Sequence, residues 1–287
     1  MKKQLMVSAM GLALTATALA QGTTGSTATT GQTNVSTSSI ANTWKALQDS
    51  PLSLTLAIES DSTRNEETKK LDGVSQVNAT YLGYKLSPND SITLENDYNF
   101  KKQKGTDATY SYERINFGYT RKNILTEADH GVGLKVTADV RYRPEGAVRV
   151  ATNSYGQARV YANLSKTIGP VSLSATSYYA RPQRINTADT KTTSTWEHYL
   201  VQTYNITDTL GLSLAEDIVM RQNPAHTGEL KTADLYLDLG KTITPDFSVG
   251  GFIEGSPVAS RDRWVTDPNW SKSENLTYAL YMSLTVF

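Results

Sequence analysis

The chain has 287 residues, no cysteine, and 28 basic side chains against 28 acidic ones. The missing cysteines exclude a disulfide scaffold or a thiolate metal site. The balanced charge turns slightly acidic once Lys2 and Lys3 are discounted, which gives no reason to expect nucleic acid as a partner.

At the N-terminus Lys2 and Lys3 precede an apolar stretch, Leu5 to Ala20, that ends in Ala18-Leu19-Ala20. Small residues at the last and third-last positions suit a signal peptidase, so residues 1–20 read as a cleaved leader for export. Residues 21–38 are Gly, Ser, Thr, Gln, Asn, Ala and Val, the composition of a flexible tether. Ser39 to Asp49 then reads as a short helix, with Ile40, Trp44 and Leu47 on one face and Pro51 ending it. Residues 21–50 thus read as a linker with a short helix, expected, in the barrel that the following residues predict, to lie at the periplasmic mouth or to enter the lumen as a plug or lid.

From residue 51 to residue 287 the period changes to two. In the fifth predicted strand, Val132 to Tyr142, the even residues are Val132, Leu134, Val136, Ala138, Val140 and Tyr142. The odd residues are Gly133, Lys135, Thr137, Asp139 and Arg141. Successive strand side chains point to opposite faces, so one face is apolar and the other polar or small. The sixth strand repeats this, with Ala158, Val160, Ala162 and Leu164 against Gln157, Arg159, Tyr161 and Asn163. So does the tenth, with Ala233, Leu235, Leu237 and Leu239 against Thr232, Asp234, Tyr236 and Asp238. The other strands are expected at Leu52–Asp61, Ser75–Leu86, Ser91–Lys101, Thr109–Arg121, Val171–Arg181, Thr195–Asn205, Leu210–Met220, Phe247–Gly255 and Asn275–Phe287. Each is about the 9–11 residues that a tilted strand needs to cross a bilayer. Simple parity leaves Asn96 and Glu216 on the apolar face.

Only 38% of residues are hydrophobic, and tyrosine (16) far outnumbers phenylalanine (5). That is thin for a soluble core, but a barrel with a polar interior needs apolar residues only on alternate positions. The expected fold is therefore all-β, a transmembrane antiparallel up-and-down barrel of twelve strands embedded in outer-membrane lipid. The connections point the same way. Four of the five even-to-odd links are tight, at Ser87–Asp90, Ile168–Pro170, Ile206–Thr209 and Thr242–Asp246; Lys122–His130 is the exception. The odd-to-even links are mostly longer, up to Ser256–Glu274. Short periplasmic turns opposite longer extracellular loops are the habit of such barrels.

The final strand runs through Leu276, Tyr278, Leu280, Met282, Leu284 and Val286 to Phe287. This resembles the terminal strand of outer-membrane barrels, which commonly ends in Phe, although here the apolar positions are one residue out of phase with it. Over residues 51–287 the chain resembles bacterial outer-membrane porins and channels of the twelve-strand size class. That resemblance implies a Gram-negative outer-membrane location.

The inward charges are the informative feature. A basic wall is expected from Arg114, Lys135, Arg141, Arg143 and Arg159, with Asp139 the one acid among them. An acidic wall is expected from Glu59, Glu95, Asp97, Asp217, Asp234, Asp238 and Glu254. In a ring of twelve, the fifth strand faces the eleventh, so the two walls would oppose each other across the lumen. Such charges either orient polar solutes in an open pore or pair with one another and fill it. Tyr112, Tyr161, Tyr178 and Tyr236 are also expected to point inward, where they could contact sugars or simply pack.

Enzymatic chemistry has little to build on. Of the three histidines, His130 and His226 fall on connections, while His198 lies in the eighth strand, facing outward. A lipid-facing His near Ser177 or Ser194 is what a membrane phospholipase needs, but no recognisable serine motif surrounds either. A girdle histidine beside Trp196 and Tyr204 accounts for it as well. Asp61, Glu66, Glu67 and Asp72 lack the spacing of a calcium loop, so no metal or cofactor is expected. The sequence reading is thus a porin-like channel for small hydrophilic solutes or ions. The alternatives are a barrel that displays adhesive loops and, behind it, an outer-membrane enzyme.

Overall fold

A computed structural model describes residues 47, 50–63, 71, 73–103, 105–185, 194–222, 228–257, 269–273 and 275–287. The expected leader, the tether and the helix around Trp44 lie outside the described residues, apart from Leu47, which is helical. Ser50 follows it, and its amide and hydroxyl both donate to the Leu47 carbonyl, at 3.1 and 2.7 Å.

Twelve strands follow: β1 (Leu52–Thr63), β2 (Val74–Lys85), β3 (Asp90–Lys102), β4 (Thr109–Leu125), β5 (Gly133–Tyr142) and β6 (Ser154–Ile168). Then come β7 (Val171–Arg184), β8 (Ser194–Thr207), β9 (Leu210–Gln222), β10 (Gly228–Thr244), β11 (Phe247–Gly255) and β12 (Thr277–Thr285). Each pairs antiparallel with its sequence neighbours, and β12 closes on β1 from Thr55↔Thr285 to Thr63↔Thr277. The closing ladder continues one step further, where Leu54 donates to the Phe287 carbonyl and Val286 to that of Leu54. Closure matters because an open edge would leave a row of backbone groups with no partner in lipid.

Alternation sorts the side chains as the period-two pattern requires. Leu82, Leu94, Phe117, Val140, Val160, Leu200, Leu214, Leu237, Ile253 and Leu280 are all exposed on the outer face. Together they ring the barrel with a band that only lipid can cover without cost. Within that band Tyr179 packs on Trp196 at 4.9 Å between ring centroids, an aromatic pair of the kind that sits at a membrane interface. Among the described residues no helix is long and apolar enough to span a bilayer.

Turn chemistry explains the tight rim. In the β2–β3 turn the Ser87 hydroxyl oxygen accepts from the amides of Asn89 and Asp90, at 3.1 and 3.0 Å. In the β8–β9 turn Thr207 does the same for Thr209 and Leu210, at 3.2 and 3.1 Å. Short side-chain oxygens thus take over amides that the reversing chain cannot pair. The one long link on this rim, at residues 122–130, is not slack chain. β4 runs on to Leu125, and a helical turn, α1 (Glu127–His130), follows, capped by Thr126 and closed by Gly131 at φ 72°. Glu127 also accepts from the Thr167 amide at 2.6 Å, tying two turns together. On the other rim a second helix, α2 (Gly146–Thr152), fills the β5–β6 link. Val148 is buried, Ala151 and Thr152 border the lumen, and Glu145 accepts from the amide of Tyr112 at 2.7 Å. Neither helix is expected from the sequence, since both are too short to show a period of their own.

Gly156 leaves no room for a side chain. A Cβ at Gly156, where β6 bulges against β7, would stand 1.9 Å from the Arg141 carbonyl oxygen. The obstacle is backbone, so the ladder itself must move. Gly156→Ala is expected to destabilise the barrel by about 1–3 kcal/mol, the usual range for overpacking. A lower urea midpoint in detergent micelles would show it. An unchanged midpoint would mean that the β5–β6 ladder yields freely there.

Candidate functional site: the charged lumen

The barrel encloses a cavity of about 790 Å³. Side chains from β1–β9 and β12 line it, most of them polar or charged. Arg114, Lys135, Arg141, Arg143 and Arg159 all border it, as do Glu59, Glu95, Asp97 and Asp217. Parity and register together bring them there.

The basic side is a chain of specific contacts. Asp97 of β3 stands opposite Arg114 of β4, and their side chains form an ion pair. Arg114 also reaches Glu95 at 3.3 Å, and the Asn116 amide donates to the other Glu95 oxygen at 2.5 Å. Asn116 in turn accepts from Arg141 Nε at 3.1 Å. One strand on, Asp139 and Arg159 are register partners and form a two-point pair, both contacts at 2.7 Å. The Arg159 guanidinium lies 5.1 Å from the ring centre of Tyr161, which packs on Tyr178 at 5.0 Å; the Tyr178 hydroxyl donates to Glu197. Nearer the α2 rim Arg143 lies 3.9 Å from Glu113. A network of this kind fixes side chains that would otherwise be mobile in water.

The far side is built differently. Tyr199, Val201, Ala215, Tyr236, Phe252, Ala279 and Tyr281 form an apolar cluster inside the barrel. Asp234, Asp238 and Glu254 share this wall but do not border the large cavity. Tyr281 donates to Asp238 at 2.9 Å, Tyr236 lies within 3.4 Å of Glu254, and the Ser256 hydroxyl donates to Asp234. The charge map is therefore not two facing walls of free charge. Glu95 and Asp97 belong to the basic side, where they neutralise Arg114, and the acids of β10 and β11 are engaged by hydroxyls.

Tyr112 is a correction. It was expected in the lumen, but the register slips between Asp97 and Tyr98, so Asp97 faces Arg114 and Tyr98 faces Tyr112. The extra residue in β4 reverses parity on one side of the bulge. Tyr112 consequently sits on the outer face, stacked on Tyr98 with centroids 4.5 Å apart and planes 7° from parallel. Its hydroxyl donates to Asn96 at 2.7 Å, which accounts for an amide on the lipid face. Glu216, also on that face, gains no comparable explanation. Sequence reasoning in turn missed Asn116, Glu113 and Glu197. Outward Trp196 and His198 would have placed Glu197 inside; nothing local signals the bulge that turns Glu113 inward.

On the lipid face Ser177 and His198 are cross-strand partners, with Oγ 2.9 Å from Nδ1. Two groups of a hydrolase therefore meet. Among the described residues no carboxylate bonds to the ring of His198. The strand amides beside the pair lie in ladders on both sides, which leaves none free to hold an oxyanion. The contact accounts for two polar side chains in an apolar band by pairing them.

No protein-family model matches the chain, and no curated protein matches it by sequence. Solved structures do match. An outer membrane channel from Pseudomonas putida F1 superposes with a TM-score of 0.55 at 12% identity, covering 82% of this chain and 96% of that one. The NanC porin superposes with a TM-score of 0.50 at 9% identity, covering 80% and 98%. At such identity the shared property is the fold, a closed antiparallel β-barrel.

Proposed function

We propose that the protein is an outer-membrane channel through which small hydrophilic solutes or ions diffuse passively, without catalysis. The observation that carries this reading is the 790 Å³ cavity inside a lipid-ringed barrel, bordered by ionisable side chains on both flanks. An interior meant only as filler would close on itself with packed side chains, as narrower barrels do. Here the apolar cluster lies on the Tyr236–Phe252 side, and the arginines of β4, β5 and β6 border open volume. The leader-like N-terminus and the outward apolar band support export to that membrane. Likeness of fold to an outer membrane channel and a porin supports the same role.

Purified protein in a planar bilayer is expected to give discrete conductance steps. Neutralising Arg114, Arg141 and Arg159 together should move the reversal potential in a salt gradient toward cations. Low-dielectric walls keep field lines within the lumen, so each charge there biases which ion enters. The shift should shrink toward 1 M salt, where screening acts within about 3 Å. Correctly folded protein that leaves the bilayer silent would favour the alternative, a barrel that displays its loops.

A further inference from the structure

Three arginines meet on the basic side of the lumen, and they are not equivalent. Arg114 has Glu95 and Asp97, and Arg159 has Asp139 at two points. Arg141 stands between them on β5, and among the described residues no carboxylate lies within ion-pair distance of it. Its one hydrogen bond runs from Nε to the neutral Asn116. The residue is only 7% exposed, yet it borders the cavity, and its terminal nitrogens are not among the side-chain atoms sealed from it. The like charges of Arg114 and Arg159 act on it, and so does the opposite charge of Glu95, which lies beyond ion-pair distance.

A guanidinium in such a place is costly. It has given up most of its water, and among the described residues four of its five N–H donors have no protein acceptor. A buried cation of this kind is normally matched by an acid on a neighbouring strand. Its register partners are instead Asn116 and Gln157, both amides, and Gln157 borders the same cavity. Asn116 is held by Glu95, so Arg141 Nε is fixed and the two Nη groups are presented as a fork. A planar fork of donors matches two oxygens of one oxyanion, a geometry that a lysine cannot offer.

We propose that Arg141 is an oxyanion-binding point within the lumen, so that the channel preferentially takes small solutes bearing a phosphate or carboxylate group. This rests on the channel reading above. A solute oxyanion would supply the acceptor that the protein withholds, and it would do so reversibly, as passage requires.

The test uses the full protein in planar bilayers at 0.1 M KCl, with inorganic phosphate or acetate added to one side. The wild type is expected to show a saturable fall in current with at least one of the two, and the effective one identifies the class. Arg141→Gln should abolish the block. Arg141→Lys keeps the charge but loses the fork, and should raise the half-blocking concentration about tenfold, the equivalent of about 1.4 kcal/mol. Heat-dependent mobility in SDS gels checks that each variant is folded; if Arg141→Gln fails to fold, Arg141→Lys decides alone. Wild-type channels that conduct but respond to neither anion would overturn the binding point and leave the channel standing. Equal block in Arg141→Lys would also overturn it, because diffuse charge would then suffice. A silent wild type would overturn both readings.

Discussion

Replacing Tyr236 with alanine is expected to destabilise the barrel by about 3–5 kcal/mol, the range for removing a large buried ring. The ring is 2% exposed and packs edge-on against Tyr199 and Phe252, with centroids 6.2 and 5.8 Å away. Its loss removes those contacts and also the hydroxyl beside Glu254. A second effect should accompany the first. The cluster occupies one side of the lumen, so the variant should conduct more than the wild type. Urea unfolding in lipid vesicles measures the stability and single-channel recording the conductance. Lower stability without added conductance would mean that the cluster lies off the conducting path. Unchanged stability would mean that the ring is not packed as described.

Asp139→Ala should have a comparable cost for a different reason. Arg159 is 3% exposed at its side chain, and the two 2.7 Å contacts to Asp139 are its ion pair. Removing the acid strands a buried cation, at a cost of about 3–5 kcal/mol. The double variant Asp139→Leu/Arg159→Met should recover much of that, since a buried pair replaced by apolar side chains is often near neutral. Full additivity in the double-variant cycle would show that the two side chains do not depend on each other. A further reading follows from the lumen's charges. With Arg159 released from Asp139, it would join Arg141 as a lumen arginine with no acid partner among the described residues, so selectivity in Asp139→Ala should move toward anions.

Much of this architecture was legible because a strand's pattern is local. The alternation of Val132 to Tyr142 needs nothing beyond its own residues to declare two faces, one for lipid and one for water. Link lengths, also local, were enough to separate the two rims. That is why the strand count, the outer band and the inward position of Arg141, Arg159 and Asp217 could be read from the chain alone. The signal weakened where strands carried mixed faces, as around Glu197 in β8.

Tertiary structure decided what parity cannot carry. Pairing register is a relation between distant segments, and it alone sets Asp139 against Arg159 and Asp97 against Arg114 while leaving Arg141 beside two amides. A single extra residue at the β3–β4 bulge then sent Tyr112 outward to Tyr98, because period-two order inverts with every one-residue slip. The lumen's two sides were decided in the same way. Of the apolar cluster's tyrosines only Tyr236 was expected inward from the sequence, and closure of the ring is what brings Tyr199, Tyr236 and Tyr281 together around Phe252. Away from that bulge and the mixed faces of β8, the sequence by itself determined which residues face the water; the fold determined which of them meet, since each meeting joins strands that the chain connects only through its loops and turns.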